Sequence, residues 1–280
     1  VIMVTTKNGV GVWQRSDLVE PELARSLEEL GYRSIWLGLS PGDLIKVEEL
    51  LAATERIVVG TGIVNMWADE AEPVAAAYHR VVGRYPGRFV LGVGIGHPEA
   101  TKEYRSPYAT IVDYLDRLDA AGVPREDVVL AALGPKVLRL AAERTAGPHP
   151  YLVTPEHTRR SRELIGAGPF IATEQKVVLD PDPVTARQLG RDRVGFYLEL
   201  RNYLSNLRTL GFTDDDFAAG GSDRLIDALA PHGDAATVAA ALTAHLDAGA
   251  DQVVLQLLSR DGDDPVPGYK AIAVALGLDG

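Results

Sequence analysis

The chain has 280 residues, 46% of them hydrophobic, enough for one large core; an α/β barrel takes roughly 250 residues in a single domain. A formal net charge of -11 argues against nucleic acid, whose phosphates select basic faces, and Arg159-Arg160-Ser-Arg162 is the largest basic run. With no cysteine there is no disulfide, thiolate zinc site or thiol nucleophile; no apolar run reaches the roughly 18 residues of a membrane span, and Val1 to Lys7 lacks the layout of a signal peptide, so a cytoplasmic protein without membrane or nucleic-acid partners is expected.

β-rich runs alternate with amphipathic helices. Eight strands are predicted, at 6–13, 33–38, 56–64, 88–95, 127–132, 150–153, 169–178 and 251–257. Eight such units predict an α/β fold of the (β/α)8 TIM-barrel type, a single domain over 1–280. Between the first two strands, Pro21 suits a first helical position, Leu23, Leu27 and Leu30 share a face, and Gly31 suits the stop. The regularity breaks at about 180–233, where Pro181 and Pro183 open a long helical stretch, read as a helical insertion between strands 7 and 8. Asp234 then suits the cap of a helix whose Val238, Leu242 and Leu246 face inward, and Gly249 ends it.

The third and fourth strands carry the strongest signal. Arg56-Ile-Val-Val-Gly-Thr-Gly-Ile-Val-Asn65 and Arg88-Phe-Val-Leu-Gly-Val-Gly-Ile-Gly-His97 both start apolar and turn to glycine and polar groups toward their carboxyl ends, where a barrel places its active site. Glycine there lets a flat ligand approach the backbone. A dinucleotide fingerprint would need glycine where His97 stands and a helix starting at once. Instead, Gly94 and Gly96 would floor a planar-ring pocket with His97 at the rim, able to relay a proton; the plainer reading of His97 is a solvated loop histidine. His79 and His245 read as surface or packing residues, His149, between two prolines, as a loop residue, and no histidine spacing suggests a metal.

Two loops could hold an anion. Gly134-Pro135-Lys136 opens a helix whose free N–H groups point outward, and Thr154 is a natural N-cap for the next; the plainer reading of each is an ordinary capped helix. Trp13 and Trp67 could wall a ring-shaped ligand, while Trp36 reads as core. No G-x-S-x-G elbow is present, and no strand ends in the acid a glycosidase would need.

These residues together resemble the luciferase-like monooxygenase superfamily, (β/α)8 enzymes that use flavins or deazaflavins. The segments Tyr32-Arg-Ser-Ile-Trp-Leu37, Val59 to Asn65, Pro86 to Gly94, Gly134-Pro-Lys136 and Pro150 to His157 are most similar to the branch that uses coenzyme F420. The resemblance implies a β-bulge with a non-prolyl cis peptide at Gly62-Ile63, behind the cofactor ring. It also implies ring and ribityl contacts from Asn65, Gly94, Gly96 and His97, a phosphate end near Gly134, Pro135 and Lys136, and a homodimer. One departure stands out: Leu39 and Ser40 occupy positions where dehydrogenases of this branch often carry an acid and a histidine.

The implied function is an F420-dependent oxidoreductase that transfers a hydride between the deazaflavin ring and a small organic substrate, with Ser40 near the reacting ring edge and His97 the candidate proton donor. The rivals are an FMN-dependent luciferase-like monooxygenase and a cofactor-binding barrel with little or no catalysis.

Overall fold

The computed structural model describes residues 9–96 and 106–278; His97 lies outside them. Its strands are β1 (Gly9–Arg15), β2 (Ser34–Gly38), β3 (Val58–Thr61), β4 (Val64–Asn65), β5 (Phe89–Gly94), β6 (Val128–Leu130), β7 (Gly147–Pro148), β8 (Ala172–Val178) and β9 (Gln252–Leu258). They form one curled parallel sheet in the order β7-β6-β5-β3-β2-β1-β9-β8, with β4 beside β5. Beside its two ends, Phe170 N donates to Ala146 O at 2.8 Å and Glu174 N to Pro150 O at 3.0 Å, so the chain flanking β7 meets that of β8.

Alternation along each strand divides the apolar residues between two layers. Val12, Ile35, Leu37, Val59, Leu91 and Leu255 face outward and bury against Leu27, Leu50, Tyr78, Leu115 and Leu242 of the surrounding helices. Their neighbours Trp13, Trp36, Val58, Val90, Val129 and Val254 fill the inside of the curl. The largest of these fit because the facing strand positions have no side chain: a Cβ on Gly38 would lie 2.1 Å from Trp13, and one on Gly60 2.8 Å from Trp36. The helix Pro21–Glu29 has proline in its first turn, and Asp234 caps the helix Ala235–Asp247 by accepting from Thr237 N at 2.8 Å. Among the described residues no helix is long and apolar enough to cross a membrane.

Between β8 and β9 the chain forms the helices Pro183–Val194, Arg201–Thr209, Asp214–Phe217 and Asp223–Leu229. They share an apolar cluster that includes Val194, Leu207, Leu225 and Ile226 and reaches Leu152.

The sixth strand requires a correction. It is Gly147–Pro148, paired with Val129 and Leu130, and not 150–153. Tyr151 and Leu152 are apolar because they pack against the helical segment; Leu152 has φ +56°, and its N–H donates to the Glu174 side chain instead of to a strand. Thr154 precedes the helix Pro155–Ile165 as expected, but its hydroxyl makes no capping hydrogen bond.

The third strand also differs from one continuous run. Val59 and Gly60 face Phe89 and Val90, whereas Val64 and Asn65 face Val93 and Gly94. Three residues, 61–63, therefore oppose two, 91 and 92, which is a β-bulge. Thr61 spans the gap: its hydroxyl donates to Gly92 O at 2.8 Å and accepts from Gly92 N at 2.8 Å. A Cβ on residue 92 would lie 1.8 Å from Thr61 O, so only glycine fits. Gly92→Ala is expected to cost about 3 kcal/mol through overpacking, read by urea unfolding; a loss below about 0.5 kcal/mol would show that the strands part freely at this point.

Candidate functional site

The carboxyl ends of the strands surround a cavity of about 1300 Å³, and the bulge supplies one of its walls. The Gly62–Ile63 peptide is cis. Behind it, Trp13 Nε1 donates to Gly62 O at 3.1 Å, and Gly62 N donates to Leu37 O at 2.8 Å. A Cβ on residue 62 would stand 2.9 Å from Trp13 Nε1 and 3.0 Å from His149 Nε2. The lining is thus backbone backed by two aromatic rings.

Glycine thins the adjoining wall as well. A Cβ on Gly94 would meet Ala131 at 2.8 Å, and one on Gly96, where φ is +60°, would meet Asn65 Nδ2 at 2.7 Å. Asn65 is held in place by accepting at Oδ1 from Trp67 N at 2.9 Å. On the far side of β2 the chain turns sharply at Leu39, with φ +53°, and Ser16 Oγ donates to Leu39 O at 3.2 Å. This leaves Leu39 74% exposed at the cavity mouth and tucks Ser40 in, with its Oγ buried and without a hydrogen-bond partner among the described residues. A buried hydroxyl with no partner costs free energy unless something completes it.

Of the residues singled out in the sequence, Trp13, Leu39, Ser40, Gly62, Ile63, Asn65, Gly96 and Gly134 line this cavity. Gly94 lies just behind, against Ile63. Pro135 and Lys136 open the helix Pro135–Arg144 beyond the lining, and Lys136 Nζ stands 3.6 Å above the Tyr108 ring. Thr154 and Trp67 are not among the lining residues.

Two features go beyond the sequence, where His149 reads only as a loop residue. The first is His149, whose ring stacks on Trp36 with centroids 4.6 Å apart. Its Nδ1 lies 2.7 Å from Ala172 O, which assigns the proton to Nδ1 and leaves Nε2 an acceptor, buried behind Gly62 without a partner among the described residues. Burial pushes its pKa down to about 4, the backbone bond opposing only in part. His245 is comparable: buried between Thr158 Oγ1 at 2.8 Å and Gln175 Oε1 at 2.7 Å, it is also lowered to about 4 by desolvation.

The second is a charged pair inside the sheet. Glu174 and Lys176, two apart on β8, both point inward, their side chains 1% exposed, with Lys176 Nζ 3.1 Å from Glu174 Oε1. The other carboxylate oxygen accepts from Leu152 N at 3.1 Å. Lys176 Nζ lies 3.8 Å above the Tyr151 ring, and burial pushes the ammonium pKa down against the pull of Glu174. Tyr151 bonds Tyr197 through its hydroxyl at 2.9 Å and donates to Gln256 Oε1 at 3.3 Å. Opposite charges at i and i+2 within a strand were the available signal, since that spacing puts both on one face.

A curled parallel sheet with a deep, glycine-thinned cavity at its carboxyl ends defines an α/β fold of the barrel type that carries its site on the strand-end loops. More narrowly, a family model for luciferase-like monooxygenases matches residues 8–252, and the chain belongs to that family. No curated protein sequence matches it. Among solved structures it is similar to an F420-dependent secondary alcohol dehydrogenase in complex with an F420-acetone adduct (TM-score 0.75, 16% identity, 96% of this chain and 99% of that one). It is also similar to the coenzyme F420 dependent tetrahydromethanopterin reductase of Methanopyrus kandleri (TM-score 0.67, 16% identity, 95% and 97% covered). A third likeness is to the FMN complex of the oxygenating constituent of 3,6-diketocamphane monooxygenase from Pseudomonas putida (TM-score 0.69, 14% identity, 97% of each chain covered). At these identities the likeness is one of fold.

Of the three buried histidines among the described residues, all lowered by desolvation, His149 and His245 are shifted furthest and set a pH dependence. Both are neutral in the folded chain, whereas the unfolded chain takes up protons near pH 6.5, so stability is full above that value and falls as the pH drops toward 4. Each should contribute about 2 kcal/mol of loss between pH 7 and pH 5. His149→Gln should remove its share of that slope in urea unfolding at the two pH values; an unchanged slope would mean that His149 is protonated in the native state.

Proposed function

We propose that the chain is an F420-dependent oxidoreductase that passes a hydride between the deazaflavin ring and a small organic substrate. The observation that carries this reading is the wall made by Gly62–Ile63 and Gly96: main chain without obstructing side chains, backed by Trp13 and His149, facing a cavity large enough for a tricyclic ring and a second ligand. Held there, such a ring would supply the two-electron chemistry, and the chain's own groups bind, orient and shield it.

Ile63 and Gly62 would support one face of the ring, with Asn65 and Gly96 along its edge and tail. Ser40 Oγ, buried without a partner among the described residues, is the group that would hydrogen-bond near the reacting edge. The phosphate end would lie toward Gly134, which lines the cavity at the first turn of Pro135–Arg144, where unpaired N–H groups favour an anion. Lys136 would add charge there from its seat on Tyr108. His97 lies outside the described residues, and its part as proton donor rests on the sequence alone. The FMN alternative draws on the likeness in fold to the diketocamphane monooxygenase.

Fluorescence titration of the chain with F420 and with FMN tests the reading, since Trp13 borders the ring wall. Micromolar or tighter F420 binding with weak FMN binding is expected; the reverse would transfer the protein to the FMN-using enzymes, and binding of neither would overturn the cofactor reading. Ser40→Ala should lower turnover about tenfold, the worth of one hydrogen bond at the reacting edge, with cofactor affinity changed less than twofold. Unaltered turnover would remove Ser40 from the reaction.

A further inference from the structure

The Lys176 ammonium is a donor without enough acceptors. It has three N–H bonds and is 1% exposed, yet its one hydrogen-bond partner among the described residues is Glu174 Oε1 at 3.1 Å. The Tyr151 ring covers another side at 3.8 Å, and the Tyr197 ring lies at 5.4 Å. Lys176 is also one of the residues that line the cavity. The nearby phenol cannot serve in its place, because the Tyr151 hydroxyl is engaged with Tyr197 and Gln256. A desolvated cation of this kind is held for an acceptor that arrives with a ligand.

The chemistry of that acceptor follows from charge and shape. Glu174 already neutralises Lys176, and its second oxygen is fixed by Leu152 N, so the pair carries no net charge. A carboxylate ligand would add an uncompensated negative charge in a buried site, whereas a neutral carbonyl oxygen takes the remaining N–H and leaves the balance intact. Around the ammonium runs an aromatic arc: Trp13 lies 5.3 Å from Tyr151, Tyr151 5.4 Å from Tyr197, and Tyr197 5.2 Å from Tyr203, centroid to centroid. Flat, conjugated ligands stack well on such a surface.

We infer that Lys176, with the arc of Trp13, Tyr151 and Tyr197, is a carbonyl-recognition subsite, and that the substrates are neutral aromatic or conjugated aldehydes and ketones whose oxygen accepts from Lys176 Nζ. The word substrate rests on the oxidoreductase reading; the subsite itself does not. Lys176 is on this account a substrate-binding residue, held in position by Glu174.

The test uses the full chain without added cofactor and the probe 4-dimethylaminocinnamaldehyde, whose absorption moves to longer wavelength when its carbonyl oxygen accepts a strong hydrogen bond. Its carboxylate counterpart, 4-dimethylaminocinnamate, is titrated beside it. The aldehyde should bind with a red shift, at least tenfold more tightly than the carboxylate. Lys176→Met alone would strand a buried carboxylate and risk the fold, so the variant is Glu174→Gln with Lys176→Met, its fold checked by circular dichroism. It should lose the shift and about tenfold in affinity for the aldehyde.

The inference is overturned by an equal shift and affinity in the folded double variant, by equal binding of the carboxylate, or by no red shift in the wild type. The wild-type results decide the matter if the double variant does not fold. Borohydride treatment that fixes the probe covalently on Lys176 would also overturn it, since the lysine would then meet the carbonyl as a nucleophile. F420 and FMN titrated into the same preparation separate the two readings: the aldehyde can bind as expected while both cofactors fail, or the converse.

Discussion

Between Gly60 and Val64 the third strand has one residue more than its neighbour can pair, and the Thr61 hydroxyl and the bare Cα of Gly92 absorb the difference. Everything on the Gly62–Ile63 wall depends on that exchange. Because Thr61 takes over both main-chain groups of Gly92, the chain at Gly62 and Ile63 is released from pairing with β5, while Gly62 N stays bonded to Leu37 O of β2. Trp13 then secures it from behind through Gly62 O, and Gly38, by lacking a side chain, gives Trp13 the room to do so. Sequence, register and cavity wall are in this way one linked problem.

The opposite wall is governed by electrostatics. A buried ion pair such as Glu174–Lys176 is weak evidence for stability, because removing both charges from water costs about what their attraction returns. Its value lies in what it presents. The Tyr151 ring and the Leu152 amide fix the two groups, and β9 places Gln256 directly across from Lys176. The cavity therefore has a smooth, main-chain side suited to a flat ring and a polar, aromatic side suited to a second ligand, with Ser40 buried just after the exposed Leu39 at the end of β2.

Much of this was legible in the sequence because it is periodic or local. Alternating residues such as Val12 and Trp13, or Ile35 and Trp36, separate the outer core from the inner one, and the runs ending at Asn65 and Gly96 mark where side chains must be absent. Local pattern failed where burial comes from distant partners. Tyr151-Leu-Val has the composition of a strand, but the helices after β8 pack against Tyr151 and Leu152. His149 has the prolines of a loop around it, and its stack on Trp36 joins β2 to the end of β7, a contact that no short window contains. Lys136 pairs with Tyr108 across two helices, a competition for its charge that the Gly-Pro-Lys run alone does not reveal.

The central claim is that the Gly62–Ile63 wall receives the cofactor ring. A crystal structure of the chain in complex with F420 tests it most directly. The account predicts the ring lying on Gly62 and Ile63, its reacting edge within hydrogen-bond reach of Ser40 and the space toward Lys176 left open for a second ligand. A ring bound elsewhere, or one that fills the Lys176 side and leaves the bulge bare, would contradict it.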